Sequence, residues 1–203
     1  MAKITSVEEL RVDYPPLVKR AITKELSALD QYCRDYLALS PFLVIGTQNN
    51  DGLGDVSPRG DMPGFVKVVN DTTIIIPDRP GNNRLDTLTN ILENPDVGLI
   101  FLVPGVKETL RINGKAEIRD DEDLMALCEV NGKLPRIVIQ VHIETAFMHC
   151  AKALMRSKLW DPSVQIERSQ LPTMSEWMVA QNTAEIKPES TEDMEKRYAK
   201  QLY

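Results

Sequence analysis

Pro77-Asp78-Arg79-Pro80-Gly81-Asn82-Asn83-Arg84-Leu85 joins a run of isoleucines to a helical repeat of leucines, and the architecture follows outward from it. Downstream, Leu85, Leu88 and Leu92 recur at helical spacing until Asn94-Pro95 stops the helix. The first N–H groups of that helix lack intrahelical partners and carry the positive end of its dipole. An anion placed there gains hydrogen bonds as well as charge complementarity, and Arg84 adds a fork of donors. The plainer reading has Asn82 and Asn83 merely capping the helix, with Arg84 in solvent. Upstream, Val66, Val68 and Val69 and then Ile74, Ile75 and Ile76 read as strands joined at Asn70-Asp71. Ser57-Pro58-Arg59-Gly60-Asp61 precedes the first strand, so antiparallel pairing brings Arg59 toward Arg79 and Arg84, and a dianionic phosphate suits that grouping.

Farther out, the pattern is mainly β. Leu26, Leu29, Cys33 and Leu37 share one helical face, and Pro41 ends that helix before the strand Phe42-Leu43-Val44-Ile45. Asn49-Asn50-Asp51-Gly52 is a turn. Val97 through Val103 reads as a strand buried on both faces, closed by Pro104-Gly105. In the next strand Leu110, Ile112, Ala116 and Ile118 take one face, while Arg111, Asn113, Lys115 and Glu117 take the other. Asp120 to Asp123 opens a short helix bearing Leu124, Leu127 and Cys128, which Asn131-Gly132 ends. A long strand then carries Ile137, Ile139, Val141 and Ile143. A helix over 151–160 would place Lys152, Arg156 and Trp160 on one stripe, two cations and an indole that a phosphate-bearing flat ring could use. Equally, the cations could favour a helix C-terminus while Trp160 packs in the core.

Composition narrows the function classes. A chain of 203 residues with 24 basic and 30 acidic side chains, net charge −6, argues against a general nucleic-acid surface while allowing a local basic pocket. Cys33, Cys128 and Cys150 form neither a disulfide framework nor a metal spacing, which suits a reducing compartment. The N-terminal stretch develops no apolar secretory core and Val97–Val103 is too short to span a bilayer, so a cytoplasmic location, with no membrane partner, is expected. His149 and Cys150 are adjacent and would face opposite sides of a strand. His142 and His149, an odd interval apart, would also diverge on a straight strand, and no bound metal is expected. Gly52-Leu53-Gly54 lacks the rest of a dinucleotide fingerprint, and no Gly-Lys-Ser or Gly-Lys-Thr phosphate loop occurs.

The ordered series Ser40-Pro41-Phe42, Ser57-Pro58-Arg59-Gly60-Asp61, Pro63-Gly64-Phe65-Val66, Pro77 to Arg84, Asn94-Pro95, Pro104-Gly105, Leu110-Arg111-Ile112-Asn113-Gly114 and His149-Cys150-Ala151-Lys152-Ala153-Leu154 resembles the FMN-binding proteins related to pyridoxamine 5'-phosphate oxidase. The resemblance implies a mainly β fold, a split antiparallel β-barrel with flanking helices, in a homodimer with FMN at the subunit interface. It divides the chain into an N-terminal helical segment (1–40), the barrel (41–162) and a C-terminal helical extension (163–203). The FMN contacts it implies are Ser57, Arg59, Gly60, Pro77, Asn82, Asn83, Arg84, Arg111, Lys152 and Trp160. The implied activity is an FMN-dependent oxidoreductase on an unknown small molecule, with no catalytic side chain assigned. A flavin carrier or redox sensor without turnover, or a barrel holding haem or a deazaflavin, remain alternatives. Lys196-Arg197-Tyr198-Ala199-Lys200-Gln201-Leu202-Tyr203 does not match the arginine- and histidine-bearing signature with which true pyridoxamine phosphate oxidases hold substrate, which speaks against vitamin oxidation.

Overall fold

The computed structural model describes residues 3–16, 19, 23–181 and 189–203. Parts of the expected 1–40 helical segment and of the 163–203 extension therefore lie outside the described residues. The strands are β1 (Phe42–Gln48), β2 (Gly54–Gly60), β3 (Lys67–Asn70), β4 (Thr73–Pro77), β5 (Asp96–Leu102), β6 (Thr109–Arg119) and β7 (Val138–His149). Among the described residues, the helices of four or more residues are α1 (Val7–Arg11), α2 (Gln31–Leu39), α3 (Asp86–Glu93), α4 (Glu122–Ala126), α5 (Lys152–Ser157), α6 (Met174–Ala180) and α7 (Thr191–Ala199).

The strands form one seven-stranded sheet in the order β2-β1-β5-β6-β7-β4-β3, antiparallel at every pairing. Edge strands β2 and β3 do not pair with each other, so the barrel is split. Leu43, Ile45, Leu99, Phe101, Leu110, Ile112, Ile74, Ile76, Ile139 and Val141 point to the inner face and are fully or almost fully buried. The alternation read in β6 holds, with Leu110, Ile112 and Ala116 buried and Arg111 and Lys115 exposed. The isoleucine hairpin also holds: Lys67 pairs with Ile75 and Val68 with Ile74.

Several local expectations fail for identifiable reasons. The helix expected over Leu26, Leu29 and Cys33 begins only at Gln31, because the Asp30 carboxylate accepts from the Cys33 amide and caps it there (2.8 Å). Leu26 instead pairs with Ala146 as extended backbone. Strand β5 is buried on one face only: Val97, Leu99 and Phe101 are inside while Ile100 is exposed. Asn131-Gly132 is not a helix cap. Both residues have positive φ and form a two-residue turn between Val130 and Lys133, whose amides and carbonyls exchange bonds at 3.0 Å. Strand β2 escaped the sequence reading altogether, since Gly54, Pro58 and Gly60 suppress its β signal; as an edge strand it tolerates them.

Strand β7 is not straight. Its pairing with β6 steps from Gly114↔Ile143 to Asn113↔Thr145, leaving Glu144 as the extra residue of a bulge. Inward-facing positions change parity there, from Val141 and Ile143 to Ala146. The expected divergence of His142 and His149 is thereby corrected: through Lys115 and Thr109 they register on the same face. Six residues of strand still separate them by roughly 20 Å, too far to share an ion. Gly114 permits the bulge, because a Cβ there would lie 2.0 Å from the His142 carbonyl oxygen.

Candidate functional site

The expected contact residues fall into two groups, with Ser57 and Arg59 on the inner face of the sheet and Arg111 on the outer face. The first lies where the end of β2 meets the loop after β4. Register places Arg59 opposite Leu43 and Ser57 opposite Ile45, so both side chains point toward the inner face at its rim. The Arg59 Nη1 donates to Asp78 at 2.8 Å, with both side chains about four-fifths buried. Its Nε is the one buried side-chain nitrogen or oxygen without a hydrogen-bond partner among the described residues. A buried donor left unpaired costs about 1–3 kcal/mol, so an acceptor supplied from outside the chain fits this position. Pro77 ends β4 in the core opposite Val138, and Gly60 sits on the outer face opposite Phe42.

The loop reaches α3 by an unexpected route. Asn82 and Asn83 do not cap the helix: Asn82 Oδ1 accepts from the Arg84 amide at 3.1 Å, and Asn83 is left-handed (φ 57°). The cap position falls to Leu85, also left-handed (φ 62°), which makes no side-chain cap bond. The α3 N-terminus is thus uncapped by any side chain, beside Arg84. Leu85 and Leu92 are exposed, because the helix buries Thr87 and Ile91 instead. Helix α3 is pinned to the sheet where Asn90 donates to the Thr47 hydroxyl at 3.0 Å. Arg84 is 71% exposed and donates to Asp86 at 2.7 Å. Asp86, with a smaller contribution from Asp55 of β2, raises the Arg84 pKa above its ordinary value.

Arg79 has a different task. Its Nε donates to Asp61 at 2.7 Å, and its Nη2 to the Cys128 carbonyl at 2.9 Å. Asp61 is 2% exposed in its side chain and also accepts from the Tyr203 phenol at 2.5 Å. Burial pushes the Asp61 carboxyl upward, but the bonds from Tyr203, the Met62 amide and Arg79 outweigh it and leave the pKa below the usual aspartate value. The three arginines expected to gather on one anion thus each hold a carboxylate of the chain.

In the second group, Arg111 lies on the outer face. Arg111 is exposed on β6, bonded through Nε to Asn113 Oδ1 at 3.2 Å and 5.7 Å from the centre of the Phe147 ring. Lys24 approaches the same ring to 5.0 Å, and Asn113 donates to Thr145 at 3.0 Å. Lys24, Phe147 and Thr145 were missed by the sequence reading. The Phe147 and Thr145 positions follow only from the bulge, which returns both to the Arg111 face. Lys152 is exposed in the first turn of α5. Trp160 is not on the stripe with Lys152 and Arg156: Lys158 adopts a left-handed conformation (φ 51°) and ends the helix. The indole N–H instead donates to the Val106 carbonyl at 2.8 Å, tying Trp160 to the loop between β5 and β6.

All three cysteines are free thiols, with Cys33 and Cys128 buried and Cys150 exposed. Burial, reinforced by Asp30, pushes the Cys33 thiol up to about 11. Among the described residues, no group of three or more His, Cys, Asp or Glu is placed to hold a metal ion, and no helix is long and apolar enough to cross a membrane.

No curated sequence matches the chain. Among solved structures, Group A Streptococcus HupZ is similar at 19% identity with a TM-score of 0.50, over 59% of this chain and 93% of its own. General Stress Protein 26 from Bacillus anthracis aligns at 16% identity and a TM-score of 0.43, over 58% of this chain and 94% of its own. An FMN-binding protein from Syntrophomonas wolfei aligns at 12% identity and a TM-score of 0.43, over 58% of this chain and 88% of its own. At these identities the likeness concerns the fold alone. A family model described as pyridoxamine 5'-phosphate oxidase matches residues 29–150, more than half of the chain and all seven strands of the split barrel. The chain therefore belongs to the pyridoxamine 5'-phosphate oxidase family.

Proposed function

We propose that the protein is an FMN-binding flavoprotein that acts as an oxidoreductase on a small molecule, and that two copies of the chain complete each cofactor site. The observation that carries this reading is the unpartnered, buried Nε of Arg59 at the rim of the split. It lies in the motif where the family resemblance expects a phosphate contact, and the loop that follows Asp78 leads to the uncapped N-terminus of α3. Arg59, Ser57, Asn83 and Arg84 would hold the phosphate. Asp78 and Asp86 temper the positive charge there, so hydrogen-bond geometry has the larger part in binding.

Arg111, Lys152 and Trp160 share no hydrogen bond or ion pair with that group among the described residues. In this reading the second group reaches the cofactor from another copy of the chain. The outer face supports such pairing: Phe42, Val56 and Ile100 are exposed apolar side chains on adjacent strands β1, β2 and β5. Bound FMN would supply hydride or electron transfer at its ring system, and the protein residues bind and orient it.

The test is the visible spectrum of the protein purified without added cofactor, with mass identification of any small molecule released by heat. Paired flavin bands and released FMN are expected. A colourless protein that does not take up added FMN overturns the proposal, and a Soret band replaces flavin with haem. Reduction of the bound flavin by a specific donor separates an enzyme from a carrier or sensor.

A further inference from the structure

Tyr203 is 142 residues away in sequence from Asp61, yet their side chains meet at 2.5 Å. The phenol donates to a carboxylate that Arg79 also holds, and the Arg79 guanidinium carbon stands 5.4 Å from the centre of the Tyr203 ring. Lys133 Nζ donates to the Tyr203 carbonyl oxygen at 3.0 Å. The segment is thus bound by its side chain, its ring face and its backbone. Each contact falls on a different neighbour: the end of β2, the loop after β4 and the turn after α4. A charge-assisted hydrogen bond to a nearly buried carboxylate, with a cation against the ring of the same residue, is stronger than a chance surface contact.

The place matters as much as the strength. Asp61 directly follows β2, two residues beyond Arg59, and Arg79 directly follows Asp78, the partner of Arg59. The ion pairs Arg59–Asp78 and Arg79–Asp61 cross between the same two chain segments. Whatever holds Asp61 against Arg79 also sets the distance between Arg59 and the loop toward Arg84. The helices before Tyr203 are joined to each other, since Ser175 and Glu189 exchange hydrogen bonds (3.0 and 2.8 Å) and Arg197 pairs with Glu189 (2.7 Å). Movement of this helical pair would therefore pull on Tyr203.

We infer that Tyr203 is a latch and a positioning residue: through Asp61 and Arg79 it clamps the loop 77–84 against the end of β2, so that the C-terminal helical extension controls the order of the candidate phosphate site. Its bearing on cofactor binding rests on the reading under Proposed function; the clamp itself does not. Release of Tyr203 leaves Asp61 and Arg79 paired but exposed to water, which weakens their bond and loosens both segments.

The experiment uses the full chain carrying Tyr203→Ala or Tyr203→Phe. Amide hydrogen exchange is followed without cofactor at Asp78, whose N–H bonds to the Ile137 carbonyl, and at Asp61, whose N–H bonds to the Pro41 carbonyl (both 3.1 Å). In Tyr203→Ala both amides should exchange more than tenfold faster, since the lost hydrogen bond to a charged group alone is worth about tenfold and the ring on Arg79 is lost with it. The core amide of Ile143, bonded to the Thr72 carbonyl, should not change. Tyr203→Phe keeps the ring on Arg79 and should show an intermediate rise. FMN titration by fluorescence quenching should rank the variants in the same order. Unchanged exchange at Asp61 and Asp78 in Tyr203→Ala overturns the latch, as does an equal rise at Ile143, which reports general destabilisation. Faster exchange in a protein that never binds FMN leaves the latch standing and removes the flavin assignment.

Discussion

Replacing Arg59 by methionine removes its charge and donors while keeping a stem of similar length, and the structure assigns the change two separate costs. The first is stability. Asp78 keeps a carboxylate that is 19% exposed and has lost its cation. Breaking a fully buried pair costs about 3–5 kcal/mol and an exposed pair about 0–1 kcal/mol, so about 2 kcal/mol suits this burial. The second cost is affinity. If the unpartnered Nε receives a phosphate oxygen, losing that charge-assisted bond is worth about 2 kcal/mol, or about 30-fold in Kd. Asp78→Asn separates the two effects: it incurs a similar stability cost but frees Arg59 from a competing carboxylate. FMN fluorescence titration at fixed salt, beside urea unfolding, should show weaker binding only in Arg59→Met, with Asp78→Asn equal to or tighter than the unmodified protein. Binding within twofold of normal in Arg59→Met would refute the phosphate role and leave Arg59 a structural partner of Asp78.

Gly114→Ala puts a methyl group 2.0 Å from the His142 carbonyl oxygen, where backbone and not a pliable side chain must yield. It should destabilise by about 3 kcal/mol or more and lower Tm by roughly 10 °C; a calorimetric Tm within two or three degrees of normal contradicts the bulge geometry. Asp61 has a folded pKa below its usual value of 3.8. Its contribution is therefore fully present above that value and is lost as pH falls through the lower folded pKa. Asp61→Asn should lower stability at neutral pH and shrink the loss of stability that sets in as pH falls below the ordinary aspartate value; an acid limb of undiminished depth in thermal melts would count against the Asp61–Arg79–Tyr203 contact.

The isoleucine hairpin and the two-faced β6 could be read directly, because their side-chain alternation reflects one buried face. The sites were legible unevenly. Arg59 and the loop with Arg84 stand out by residue type, but their carboxylate partners do not: Asp86 is two residues from Arg84, whereas Asp78 is 19 residues from Arg59 and meets it only through the fold. Trp160 was misplaced because helical spacing was extended past Lys158, where a left-handed residue breaks it. Positive φ at Asn83 and Leu85 likewise moved the helix start beyond the expected caps.

Local patterns in the chain are enough to specify a mainly β fold, a loop rich in phosphate-type donors and the family motifs, since these depend on neighbours within a few residues. Tertiary structure alone decides the rest. The β7 bulge turns His142, Phe147 and His149 to one face, edge position makes a strand of Gly54–Gly60, and long-range pairing brings Tyr203 to Asp61. Each depends on where distant backbone segments find hydrogen-bond partners and exclude water, and one inserted residue in a ladder is enough to reverse which side chains share a surface.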